Sequence, residues 1–239
     1  MPFLITSLAG LSTLLGSLFI FIKVKNSNTL ISNSMKFAAG VMLTVSCLDI
    51  IPESYSLINN SIFIKIIYLL ISINIGFIIS IYLDKKISVD NSLYRVGVIS
   101  LIAIILHNIP EGIATYMASS YDIKLGLSLS ISIALHNIPE GISIALPIYY
   151  STKSIKKAIL YTFISGLSEV IGAIITSLFL KNYINDFIMG ILLGIIAGIM
   201  IYISIFELLK EAKEKSRGGT LLWIMIGSIT MILSLIIIK

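Results

Sequence analysis

RVGVISLIAIILHNIPEGIATYMASSYDIKLGLSLSISIALHNIPEGISIALPIYY, residues 95–150, holds two long apolar stretches and the same hexapeptide twice. The stretches 95–119 and 125–149 are each long enough to cross a hydrocarbon core of about 30 Å, since a helix rises about 1.5 Å per residue. Neither shows the strict alternation of polarity over about 10 residues that a barrel strand requires. Both therefore read as membrane helices, running in opposite directions and joined by a short polar turn around Asp122.

Outward from this pair, six more blocks have the same character: 3–23, 35–55, 62–83, 157–180, 187–208 and 220–238. Each is rich in Ile, Leu, Gly and Ser and is bounded by Lys, Asp, Asn or Gly. The 239 residues are 57% hydrophobic and 12% charged, with mean hydropathy +1.03. Soluble domains carry about 25% charged residues, so a soluble enzyme and a disordered chain are both excluded. The sequence predicts an all-α, polytopic membrane protein: one domain, 1–239, of eight transmembrane helices. The first block follows no Lys or Arg and precedes no short polar cleavage region, so it reads as a membrane helix and not as a signal peptide. Cys47 is the one cysteine, which excludes an internal disulfide framework.

The net charge is +5. The basic residues lie scattered between apolar blocks, which argues for a topology signal and against nucleic-acid binding. The first, third, fifth and seventh connections hold Lys23, Lys25, Lys36, Lys85, Lys86, Arg95, Lys153, Lys156, Lys157, Lys210, Lys213, Lys215 and Arg217. Only Lys65, Lys124, Lys181 and Lys239 fall elsewhere. By the positive-inside rule these odd connections face the cytoplasm, and both termini are extracytoplasmic. The expected location is the cell membrane.

The repeated hexapeptides are His107-Asn108-Ile109-Pro110-Glu111-Gly112 and His136-Asn137-Ile138-Pro139-Glu140-Gly141, and they contain the only two histidines. Each lies about twelve residues into its span, near the bilayer midplane. His and Glu at i and i+4 share one helix face, and Asn at i+1 sits about 100° round. Pro at i+3 lacks an N–H and frees the carbonyl before each His, those of Leu106 and Leu135, so a broken helix is expected there. Two imidazoles, two carboxylates and two amide oxygens can then converge. Such a set suits a divalent transition metal, and its oxygens admit harder ions. Helix pairing through hydrogen bonds and proton carriage are the competing readings. An intramembrane carboxylate costs upwards of ~2.5–3.5 kcal/mol on insertion scales, and its duplication favours the metal.

The two motifs, on the fourth and fifth of eight spans, resemble the ZIP family of divalent-metal transporters, and most closely its bacterial ZupT-type branch. The resemblance extends along the whole chain. It implies a metal-binding Glu in the sixth span, where Glu169 stands in Ser165-Gly166-Leu167-Ser168-Glu169. A buried carboxylate there needs a nearby cation or a proton, and Ser165 is a candidate partner for the protonated form. Some members carry a His-rich cytoplasmic loop, and this chain has none. The resemblance also implies two neighbouring metal positions. His107 and His136 with Glu111 and Glu140 suit Zn²⁺; Asn108, Asn137 and Glu169, sharing Glu111 and Glu140, suit Fe²⁺.

Other polar residues rank lower. Asp49 and Glu53, one turn apart, either gather cations at the outer mouth or form a solvated helix end. Ser46 and Cys47 are candidates to touch the path. Asn74 reads as a hydrogen bond between helices, and Gly190, Gly194 and Gly198 as a close-packing stripe. Glu207, Glu211 and Glu214 alternate with Lys210 and Lys213 and read as a solvated helix end.

The leading functional expectation is uptake of Zn²⁺, with Fe²⁺, Mn²⁺ and Co²⁺ as further cargo, and no other cofactor. No phosphate-binding loop is present, so ATP is not the driver. The expected partners are divalent metal ions and the lipid bilayer, with a homodimer as an option. A metal-gated cation channel and an intramembrane metal-dependent hydrolase are the alternatives.

Overall fold

The computed structural model describes residues 1–22, 25–87, 90–180 and 185–238; the topology arguments resting on Lys23, Lys181 and Lys239 lie outside them. Seven helical segments are long and apolar enough to cross a membrane: α1 (Pro2–Phe21), α2 (Ser27–Leu57), α3 (Ile62–Lys86), α4 (Ser92–Tyr121), α5 (Ile123–Thr152), α6 (Ile155–Phe179) and α7 (Asp186–Lys215). The eighth, α8 (Thr220–Ile238), is apolar and shorter than most. Among the described residues there is no strand. The chain is a polytopic membrane helix bundle.

The helices start where short polar side chains can take up free backbone N–H groups. Asn26, Asn91, Ser154 and Asn185 each accept one at the head of α2, α4, α6 and α7. Asp122 is the whole connection between α4 and α5, and its carboxylate accepts from the N–H groups of Lys124 and Leu125 at 2.6 and 3.1 Å. The Asn26 cap explains why α2 begins at Ser27 and not near 35. The polar residues that read as a connection are the first turns of the helix.

The bundle divides into two groups. In one, α4 packs on α5 and α6, and α1 lies across α5 and α6. In the other, α2 packs on α8 and α3 on α7. Each group has its own apolar core. Ile20, Ile104, Ile142, Ile144, Leu146, Ile148 and Ala158 fill the first. Met35, Met42, Val45, Leu193, Ile199 and Met200 belong to the second, which also takes one face of α4 through Val96, Ile99 and Ala103. Helix α4 therefore belongs to the first group and leans on the second.

Small residues set the closest approaches. Along α3 the buried positions are Ser72, Gly76 and Ser80, flanked by the half-buried Ile73, Phe77 and Ile79. Gly194 and Gly198 of α7 meet this stripe, and side chains there would run into Ser72 and the carbonyl of Ile73. Gly190 packs against Ser54 of α2 and Ile58 just beyond its end. The close-packing reading of the three glycines is thus correct. Asn74 differs from expectation: it is exposed, and its amide donates to the Leu70 carbonyl of its own helix at 2.7 Å. The buried stripe takes the i and i+4 positions from Ser72, which leaves Asn74 on the lipid side.

Both motif glycines also mark helix crossings. A side chain at Gly112 would collide with the Glu169 backbone on α6, and one at Gly141 with the Thr13 carbonyl on α1. Gly112→Val is expected to lower the melting temperature in detergent by several degrees. Overpacking of this kind costs about 1–3 kcal/mol, and each kcal/mol is worth about 2–4 °C in a chain of this size. Gly218→Ala, at a position with open space around it, should leave the melting temperature unchanged.

Two further expectations need correction. The helix is not broken at either motif: α4 runs through Pro110, and α5 runs through Pro139 and a further Pro147. One missing N–H does not end a helix that neighbours hold on all sides. The irregular turns fall elsewhere, as π-type stretches at Ser46–Ile50, Thr176–Leu180 and Ile203–Leu208. Nor is the end of α7 solvated on every face: Lys210, Lys213 and Glu214 are exposed as expected, but one side is covered. Glu207 and Glu211 are buried, because Arg95 reaches the first, and Ser92 and Lys215 the second.

Candidate metal centre

The i, i+4 spacing places His107 and Glu111 on one face of α4 near its midpoint, and His136 and Glu140 likewise on α5. The helices cross so that these faces oppose each other. His136 Nε2 lies 2.9 Å from Glu111 Oε1, and His107 Nε2 lies 3.1 Å from the same oxygen. His107 Nε2 is also 3.4 Å from Glu140 Oε1. The imidazole centroids are 6.2 Å apart. One ligand atom each from His107, Glu111 and His136 falls within a mutual 4.8 Å, the spacing of donors around a single ion. Glu140 borders this trio through His107.

A second set lies beside it on α5 and α6. The Asn137 amide donates to Glu169 Oε1 at 2.5 Å and to the Ala9 carbonyl of α1 at 3.0 Å. The Asn108 amide donates to the Ser165 carbonyl at 3.1 Å. Both amides are therefore turned so that nitrogen bonds to protein and oxygen is left over. Ser165 does not serve Glu169: its hydroxyl has no hydrogen-bond partner, and Glu169 is held by Asn137 instead. The structure thus gathers His107, Glu111, His136 and Glu140 into one cluster and pairs Asn137 with Glu169. Asn108 is tied to α6 next to them.

All seven side chains are shut away from solvent, the most exposed being Glu111 at 7%. Among their buried polar atoms without a hydrogen-bond partner among the described residues are Nδ1 of both histidines, Oδ1 of both asparagines, Oε2 of Glu111, Oε2 of Glu140 and Oε2 of Glu169. Buried polar groups left unpaired cost about 1–3 kcal/mol each. Lone pairs of nitrogen and oxygen converging in an apolar bundle are what a divalent cation would satisfy.

The sequence reading missed the first helix. Ala9 supplies a carbonyl to Asn137, Gly10 lets α1 approach Glu169, and the Ser12 hydroxyl donates to the Ala134 carbonyl at 3.0 Å. The run Ala9-Gly10…Ser12-Thr13…Gly16-Ser17 is a stripe of small residues that could have signalled this contact. Ser46 and Cys47 fall away from the site: Ser46 donates to the Met42 carbonyl of its own helix, and Cys47 is exposed. Asp49 and Glu53 line a cavity of about 340 Å³ with Leu125, Ser128, Leu129, Ser132 and Leu235.

The ZIP zinc transporter family model matches residues 83–235, which include both motifs and Glu169. The chain belongs to the ZIP family. Relatives match this ZIP chain along nearly its whole length. It is 36% identical to the zinc transporter ZupT of Streptococcus mutans, over 98% of this chain and 96% of that protein. The corresponding protein of Clostridium perfringens is also 36% identical, over 99% and 95%. That of Escherichia coli O127:H6 is 32% identical, over 89% and 87%. As a ZIP protein the chain is a membrane transporter of divalent metal and not an enzyme.

Proposed function

We propose that this chain carries Zn²⁺ into the cytoplasm through the His107, Glu111, His136 and Glu140 cluster, with Fe²⁺, Mn²⁺ and Co²⁺ as further cargo. The observation that carries the reading is a buried His–Glu–His trio at the midpoint of two antiparallel membrane helices. Asn108, Asn137 and Glu169 form the oxygen-rich second position, which Glu111 and Glu140 share. The relatives named as zinc transporters support zinc as principal cargo.

The ion arrives from outside by way of Asp49 and Glu53. The cavity they line includes Ser132, one helical turn before His136. Imidazole and carboxylate then replace water around the ion. Towards the other side Ile104, Ile142, Ile144, Leu146 and Ile148 are packed and dry, so release needs the helices to move. Alternating access about a midplane site meets that need. A divalent ion moving inwards gains about 4.6 kcal/mol per 100 mV of membrane potential, which makes a nucleotide unnecessary.

The deciding experiment is zinc uptake into proteoliposomes of purified protein, with Fe²⁺, Mn²⁺ and Co²⁺ as competitors. Saturable uptake that the competitors suppress is expected. Ohmic, non-saturating flux would make the protein a channel, and no flux would remove the reading.

The orientation is part of the proposal: both termini face outside. A cysteine added after Lys239, in a Cys47→Ser background, is expected to react with an impermeant maleimide on intact cells. Labelling only after lysis would invert the topology and the direction of transport.

A further inference from the structure

At the end of α4 opposite to Asp122, the Arg95 guanidinium sits between carboxylates from two other helices. Nη1 pairs with Asp84 at the end of α3, and Nη2 lies 3.4 Å from Glu207 Oε2 in α7. Beside it the Ser92 hydroxyl donates to Glu211 of α7 at 3.2 Å. We propose that Arg95 is a latch between the two helix groups, which closes the cytoplasmic end of the site-bearing helices and opens in each transport cycle. The inference rests on the transport reading above.

Four observations carry it. First, α4 belongs to the group that holds the metal cluster, whereas α3 and α7 belong to the other, so the pairs span the boundary. Second, Arg95 lies in the first turn of α4, twelve residues from His107. That is about 18 Å along one continuous helix, so displacement at one end reaches the other. Third, the section between them is sealed: Ile99, Ser100, Ala103 and Ile104 are all buried. Fourth, the exposures are graded as a reversible contact requires. The Glu207 side chain is 2% exposed, but those of Arg95 and Asp84 are 23% and 27% exposed. Water can therefore replace the protein partner of Arg95 without stranding it in the apolar core. A guanidinium suits this role because its planar fork serves two carboxylates together and it never loses its charge. Helix α3 packs on the bundle through its buried stripe and the half-buried Phe77 and Ile79 beside it, and the Asp84 pair ties down its last turn.

The test uses full-length protein with Cys47→Ser and a reporter, Ser100→Cys, whose side chain is fully buried in the latched form. An impermeant maleimide is applied to vesicles of each orientation. Arg95→Gln and, as a milder variant, Asp84→Asn are expected to raise labelling of the reporter about fivefold or more, from the Arg95 side only, the lower range of a coupling free energy. Zinc KM should rise by a similar factor, because fewer molecules present the outward-competent site. Arg95→Lys should fall between. A merely structural pair would lower the amount of folded protein but leave labelling per folded molecule and KM unchanged, and that result overturns the latch. The labelling arm needs no transported ion, so it fails or succeeds separately from the transport reading.

Discussion

Glu111→Ala is expected to reduce zinc uptake by at least about 100-fold while the protein still inserts and folds. Loss of groups that merely orient a metal ligand already costs about 10–100-fold, and this carboxylate is itself a proposed ligand. Its Oε1 lies within 3.1 Å of both imidazoles, so its removal separates the two helices' contributions. Glu140→Ala is expected to be as severe for a different reason. Both Glu140 oxygens are buried, Oε2 meets no hydrogen-bond partner among the described residues and Oε1 has only His107 Nε2 nearby, so the carboxylate can take an ion. Glu140→Gln, with the shape kept and the charge removed, should resemble Glu140→Ala. The measurement is ⁶⁵Zn uptake normalised to protein in the membrane. Wild-type uptake by either folded alanine variant would remove the shared-carboxylate arrangement.

The second large effect is a reversal of selectivity. The imidazoles of His107 and His136 are the only nitrogen ligands available, whereas Asn108, Asn137 and Glu169 offer oxygen. Zinc accepts nitrogen readily and Fe²⁺ leans towards oxygen. Glu169→Ala should therefore reduce Fe²⁺ uptake about tenfold more than Zn²⁺ uptake, and His136→Ala should do the reverse, each difference equal to about 1.4 kcal/mol of relative binding. The structure adds a constraint. Glu169 also holds the Asn137 amide, so its loss leaves that amide oriented by the Ala9 carbonyl alone. Glu169→Gln keeps a carbonyl oxygen for that contact and should retain more Fe²⁺ uptake than Glu169→Ala. Equal losses of both metals in Glu169→Ala and His136→Ala would mean that the two positions act as one.

Much of this was legible in the chain itself. Eight apolar blocks gave eight helices because a membrane span is defined by length and saturation, both linear properties of sequence. The facing of His107 and Glu111 followed from helical period alone. What escaped was whatever depends on a partner helix. Glu207 looks like a solvated residue because its local neighbours are lysines; its true partner, Arg95, is more than a hundred residues away. Pro110 and Pro139 looked like breaks because local rules weigh one lost hydrogen bond and not the packing around it. Asn74 and Ser72 are two residues apart, and only the position of α7 decides which one is buried. The support of Asn137 by Ala9 joins residues whose sequence separation exceeds half the chain.

Since Asp122 alone separates α4 from α5, His107, Glu111, His136 and Glu140 leave the ribosome as one helical hairpin. The imidazole–carboxylate half of the site is built from near neighbours, and it can assemble as soon as that hairpin enters the bilayer. Glu169 is synthesised later, so the Asn137–Glu169 pair forms only when α6 arrives against α1. A nascent chain stopped at Thr152 would hold both imidazoles and both motif carboxylates but lack the Glu169 carboxylate. During biogenesis the His–Glu cluster is therefore complete before the Asn137–Glu169 pair.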